Sequence, residues 1–573
     1  MRYHWYRIRK YLFPVTGFGI NLLAALFWVA LRINHSGISK FLGADTNPNF
    51  LVMNLPVMVC AAAWLSCGLA LWGLTGWDKR KWPGIAAFAG GLVFTAAAAA
   101  VIYFGAKDYL RFILPHFFRS LLVTAGILAF VLLLYFPVRG REGLKAFVSA
   151  VVILAAVVIG YQLRPCVFTY GPVVYAVEDE YQIVFSTSDE SIAWVEIGGN
   201  PYYELYAGSM KSADRVHKVI VPQEVLDAAG GYTTCAKQMI YRGPFGGYTG
   251  KLLTKEYKFR SVDSSDGLSY YALSDVHEAV DAAAAAAKGQ YDFIVLLGDL
   301  VSMVETEKDA QLTGELAHKI TGGEIPVIYA RGNHEIKGEY AEVFHKYVGA
   351  RGEDFYYTVT LGRDIFAVVL DMGEDHEDDW WEYYGTAFFD LYREEQTRML
   401  EEILREKEYE HYRYRMVLCH IPIVYVDPDG RFDAWRQEWT GLLNELDPDI
   451  SLSGHEHRLY QFLPGALAAG EPLVYSAAYA GKEGKVDGGT VTDFNFPSFL
   501  AGRRSLEQQG GTQSNGKSQY VGLQVKANFA FGEQIVRYIN SQGKTITGAY
   551  PFAGNYPEES FRDIVTALKR PES

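Results

Sequence analysis

Histidine, aspartate and asparagine recur in this chain at one kind of place, directly after a short apolar run. Tyr271-Ala-Leu is followed by Asp275 and His277, Phe293-Ile-Val-Leu-Leu by Gly298-Asp299, and Pro326-Val-Ile-Tyr by Gly332-Asn333-His334-Glu335. The pattern returns at Met416-Val-Leu-Cys, followed by His420, and at Ile450-Ser-Leu-Ser, followed by Gly454-His455-Glu456-His457. Carboxylate, imidazole and carboxamide donors suit hard or borderline metal ions. Taken singly the signals are unequal: Asp-x-His and Gly-Asp are weak, and a lone His is more often a packed core residue. Gly-Asn-His-Glu is more specific, and Gly-His-Glu-His after a strand is stronger still. Five such runs in order would deliver their ligands to one rim. No thiolate joins them, because Cys419 reads as a core residue. An Fe–S site is therefore excluded, and Mn, Fe, Zn or Co remain open.

The elements that must position these groups follow from the pattern around them. From residue 269 onward, apolar runs alternate with helical segments at 279–288, 310–320, 390–407 and 433–445. That alternation predicts an α/β domain built around parallel strands, with function at the strand ends. Residues 164–266 instead read as short strands, such as 181–185, 192–197 and 216–221, broken by Gly and Pro. They predict a small β-sandwich without metal ligands, serving as a spacer or a wall.

The ordered motifs resemble those of the calcineurin-like metallophosphoesterases over roughly residues 268–550. The resemblance implies two mixed sheets flanked by helices in four layers, with two divalent or trivalent ions (Mn, Fe or Zn) at the strand ends. Carried over by motif, Asp275, His277, Asp299 and His457 would hold the first ion. Asp299, Asn333, His420 and His455 would hold the second. The implied activity is hydrolysis of a phosphate ester by attack of a metal-bound hydroxide, formed from a water whose pKa two such ions would lower from ~15.7 towards ~7. His334, not a ligand in the family, would stabilise charge or protonate the leaving oxygen. The β module and the segment Val368-Val-Leu-Asp-Met-Gly-Glu374 are similar to bacterial relatives of purple acid phosphatases, which carry an Ig/fibronectin-like module. Those have a Tyr iron ligand three residues after the bridging Asp, where this chain has Ser302, and Gly in place of His277. A coloured tyrosinate–iron site is therefore not expected. Ser302 also replaces the Asp that orients the catalytic His in protein-phosphatase members, which leaves the orientation of His334 open. Ser302 and His376, the latter in an acidic loop at 373–384, are candidate substrate contacts. For His376 a solvated loop is an equal reading.

Charge divides the chain unevenly. Residues 1–165 hold 16 Lys and Arg against 4 Asp and Glu, so the front is near +12 and the remainder near −25. So acidic a body would repel phosphate backbones, and no nucleic-acid partner is expected. The front has five apolar stretches, roughly 11–31, 50–74, 84–105, 120–137 and 146–162, each able to cross a hydrocarbon core of ~30 Å as a helix. Lys and Arg lie mainly before the first stretch and after the second and fourth. With basic loops inside, residues 164–573 would face outward. The expectation is thus a multi-domain chain: an all-α transmembrane bundle at 1–163 in the lipid bilayer, a β-sandwich at 164–266, and the metallophosphoesterase domain at 267–573. It would be a multi-pass cell-membrane protein with an extracytoplasmic phosphomonoesterase. Alternatives are a phosphodiesterase or pyrophosphatase acting on a lipid-linked or nucleotide substrate, and a non-catalytic receptor or scaffold. Cys166 and Cys235 would either form a disulfide or stay unpaired.

Overall fold

The computed structural model describes residues 165–570 except 207–209, 244–245, 381–382, 384, 426–432, 458, 460, 466–473, 478–481, 486–492, 503–519 and 546–562. The chain forms two compact units, Met1–Leu163 and Arg164–Ser573. The five apolar stretches, Cys60, Cys67 and the Gln- and Gly-rich 508–516 segment lie outside the described residues.

Ile365–Leu370 shows how sequence becomes architecture. Side chains alternate across a strand, and here both faces are apolar and buried. Ile365, Ala367 and Val369 join the larger core, while Phe366, Val368 and Leu370 join a second core with Trp439 and Leu443 of the helix Asp433–Leu446. Tyr414–Cys419 divides in the same way, with Met416 and Leu418 on one side and Val417 and Cys419 on the other. A strand buried on both faces reads as a continuous apolar run, which is why these were visible in the sequence.

Leu268–Leu273, Phe293–Leu296 and Pro326–Tyr329 pair in parallel at the centre of a 12-stranded sheet. Val521–Asn528, Glu533–Asn540 and Ile564–Ala567 extend one side antiparallel. A six-stranded sheet holds Ile365–Leu370, Tyr414–Cys419, Ile450–Ser453 and Ser498–Leu500 in parallel, with Tyr357–Leu361 and Gln461–Phe462 antiparallel at its borders. The Tyr270 and Tyr414 hydroxyls meet at 2.9 Å, joining one sheet to the other. Helices Glu307–Thr321 and Phe389–Glu406 lie among the connections; the first starts with a Thr306–Asp309 capping box and ends at Gly322 in the left-handed conformation.

Two expectations are corrected. The 164–266 region is not a separate sandwich. Its strand Phe168–Val177 pairs in parallel with Pro326–Tyr329 through Val174 opposite Pro326 and Tyr175 opposite Val327. Glu180–Ile197, Gly231–Gly243 and Gly246–Lys258 then continue the same 12-stranded sheet. Its buried side chains, among them Val184 and Val195, belong to the same core as Leu273 and Val295. The all-α transmembrane bundle gains no support either: the described chain is a mixed α/β fold, and among the described residues no helix is long and apolar enough to cross a membrane. Cys166 and Cys235 are both free, one 3.5 Å from the Ser191 hydroxyl and the other opposite Trp194 in the sheet.

Candidate metal centre

Each expected ligand sits in the turn that leaves a parallel strand. Those turns are tight: Asp275, His277, Asp299, His455 and His457 all hold φ between +42° and +72°. Non-glycine residues enter this left-handed region at a cost, and such residues concentrate where surrounding structure over-determines them. Glu335, fully buried, helps to do so here. It accepts the backbone N–H groups of Asp299 (2.9 Å), Leu300 (2.7 Å) and Gly332 (3.0 Å), tying two of the turns together. Burial and the nearby Asp299 push the Glu335 carboxyl up to about 7.

Two clusters of ligand atoms result, each with its members within 4.8 Å of one another: Asp275, His277, Asp299 and His457, and Asp299, His420 and His455. Asp299 is common to both. In the first, His277 Nε2 lies 3.1 Å from His457 Nε2, and His457 Nε2 lies 3.5 Å from Asp275 Oδ1. In the second, His420 Nε2 lies 3.1 Å from Asp299 Oδ2. Asn333 joins this cluster, its Oδ1 3.3 Å from His455 Nδ1.

The donor set fits cations. Asp275 Oδ1 is buried without a hydrogen-bond partner, a costly arrangement unless something else satisfies it. Tautomers agree. His420 Nδ1 donates to the Leu297 carbonyl at 2.5 Å, which leaves Nε2 directed at Asp299. His277 Nδ1 lies 3.2 Å from the Ser302 hydroxyl, which itself donates to Glu278 Oε2 at 3.1 Å, so the hydroxyl accepts from His277 and His277 Nε2 is free to ligate. Burial keeps the His277 imidazole neutral, pushing it down to about 2. Burial also opposes charge on His420, but Asp299 prevails and raises it to about 10, so His420 gives up a proton when its Nε2 takes up a cation. Burial lifts the Cys419 thiol to about 12, which leaves it protonated in the core.

His334 stands beside the clusters. Its Nδ1 donates to the Ser302 carbonyl at 2.7 Å, which points Nε2 towards Asp299 Oδ2 at 3.8 Å. A backbone carbonyl thus supplies the orientation that a side-chain carboxylate would otherwise give. Ser302, considered above as a substrate contact, pairs with His277, His334 and Glu278. His376 is not brought into either cluster: it stacks on Trp380 with ring centroids 4.3 Å apart and reaches Asp375 at 3.7 Å. Sequence reasoning did not assign Glu278, Glu335, Glu374 or Asp375. Only Glu335 carried a local signal, through its place in Gly-Asn-His-Glu.

Gly454 shows how closely the turns approach. A Cβ there would run into the Ser274 side chain and the Asp275 carboxylate. Gly454→Ala is expected to displace Asp275, lowering metal content on that side and costing about 1–3 kcal/mol of stability. Metal analysis and thermal unfolding of the variant check this.

Residues 268–459 match the family model for calcineurin-like phosphoesterases. This part of the chain is thus similar to metallophosphoesterase domains, and with the two ligand clusters it points to a metal-dependent phosphoester hydrolase. Among solved structures, the chain is similar to PhoD at 12% identity over 69% of this chain and 97% of that one, with a TM-score of 0.36. It is also similar to GAP50, titled the anchor in the inner membrane complex of Plasmodium, at 10% identity over 51% and 91%, with a TM-score of 0.32. A third likeness is to a conserved uncharacterized protein of Streptococcus pneumoniae, titled a predicted phosphoesterase, at 11% identity over 49% and 94%, with a TM-score of 0.23. No curated protein matches the chain.

Proposed function

We propose that this chain hydrolyses phosphomonoesters with two metal ions that share Asp299. The observation that carries the reading is the pair of ligand clusters meeting at one buried carboxylate, with His334 beside them and outside both. Asp275, His277, Asp299 and His457 would hold one ion; Asp299, Asn333, His420 and His455 the other. Bound there, the pair would polarise phosphoryl oxygens and lower the pKa of water.

The chain's own residues do the rest. Asp299 offsets the mutual repulsion of two cations. Glu335 and Glu278 hold the turns that aim the ligands. His334 presents Nε2 to the site with its other nitrogen fixed on the Ser302 carbonyl. Its side chain is 31% exposed, against 1% for Asp299 and His420, and His457 beside it is 46% exposed, so an entering ester meets these two imidazoles first. As an imidazolium it would stabilise a phosphoryl oxygen or protonate the leaving oxygen.

The test uses the purified full-length chain, stripped by chelation and reconstituted with Mn, Fe or Zn, against p-nitrophenyl phosphate and bis(p-nitrophenyl) phosphate. Monoester turnover that is lost on stripping and restored by metal is the expected result. Faster diester turnover would replace the monoester reading with a phosphodiesterase. No turnover with two ions bound would favour a binding role.

A further inference from the structure

Two of the four ligands assigned to the second ion are held by adjacent residues of one loop. Asn333 Nδ2 donates to Glu374 Oε1 at 2.7 Å, which turns Asn333 Oδ1 towards His455 Nδ1. His455 Nε2 lies 3.2 Å from Asp375 Oδ2, so the imidazole is fixed at its far nitrogen by a carboxylate while Nδ1 faces the site. Neither Glu374 nor Asp375 reaches a ligand that belongs to the first cluster alone.

The loop is held from behind. Lys337 Nζ meets Glu374 Oε2 at 2.8 Å. Arg393, fully buried in the helix Phe389–Glu406, donates to the carbonyls of Met372 (3.0 Å) and Glu374 (2.7 Å). Gln396 accepts from the Asp371 N–H at 2.8 Å and donates to its carbonyl at 2.6 Å. Gly373 makes the bend at φ +75°. These contacts involve no metal ligand and fix the loop backbone and Glu374 Oε2, which places Asp375 beside His455. A carboxylate on the outer nitrogen of a ligating imidazole fixes its tautomer and raises its basicity.

Building on the two-ion reading above, we propose that Glu374 and Asp375 are positioning residues for the second ion alone, and that Asp375 sets its affinity through His455. The first ion gains nothing from them, so the two sites separate when the loop is altered.

Metal-stripped full-length chain is titrated with Mn2+ by calorimetry and equilibrium dialysis, wild type beside Asp375→Asn, with metal-free unfolding temperatures measured in parallel. Expected are two ions in the wild type. In Asp375→Asn the first ion binds unchanged, the second binds about 10–100-fold more weakly, and the metal-free unfolding temperature is unaltered. Asp375→Glu is expected to restore part of the loss, and hydrolysis by Asp375→Asn to recover at high Mn2+. Equal weakening of both ions, no weakening, or a lowered metal-free unfolding temperature in Asp375→Asn would each overturn the proposal. A wild type that binds fewer than two ions would overturn the two-ion reading as well, whereas two ions in both proteins with equal affinities would remove this inference alone.

Discussion

Asp299→Asn is expected to empty the centre and to end hydrolysis, by more than the ~10–100-fold cost of removing an outer partner of a ligand. The substitution keeps the volume of a side chain that is 1% exposed, so packing around it is unchanged. What it removes is the one negative charge common to both clusters, and with it the partner of His420 at 3.1 Å. Burial works against that charge, yet His420, His334 and His277 hold Asp299 well below the usual carboxylate range. A neutral amide gives two cations nothing to share and leaves neighbouring imidazoles without their anion. Metal analysis beside reporter turnover checks the result. Two ions retained with full activity would refute the shared-carboxylate reading.

His334→Gln should behave differently. Its Nε2 belongs to neither ligand cluster, so both ions are expected to stay bound while kcat falls by about 10²–10⁴, the range for a positioned acid–base group. If the imidazolium protonates the leaving oxygen, the loss is larger for an alkyl phosphate than for p-nitrophenyl phosphate, whose leaving group needs little help. If it only stabilises phosphoryl charge, the two substrates lose equally. Steady-state kinetics on both esters, with metal content measured on the same sample, distinguish these outcomes. Loss of one ion in His334→Gln would instead make His334 a ligand.

The parts of the site that were legible in the sequence share one property: each ligand follows directly on an apolar run. Strands buried on both faces announce themselves by composition, and the residue that leaves such a strand is placed by the strand. The supporting carboxylates had no such cue. Glu278 and Ser302 meet across 24 residues and Asp375 and His455 across 80, and an acidic run beside Trp380 looks the same whether it is solvated or turned inwards. The misjudged β-sandwich has a related cause. A short apolar run such as 181–185 reports that the strand is covered, not by what. The pairing that decides it, Val174 with Pro326, spans 152 positions and leaves no local trace. The orientation of His334 was hidden for a similar reason, because the Ser302 carbonyl that fixes it is invisible in a residue name.

That parallel pairing also decides where the chain can be cut. Pro326–Tyr329 has Phe293–Leu296 on one side and Phe168–Val177 on the other, and all four of its residues are buried. A fragment beginning at 267 would present this four-residue strand as an apolar border with open N–H and C=O groups, a template on which further copies can add and precipitate. The preceding hundred residues therefore act as a solubility shield as well as a wall. The catalytic part and its front half would have to be expressed, transferred or evolved as one piece.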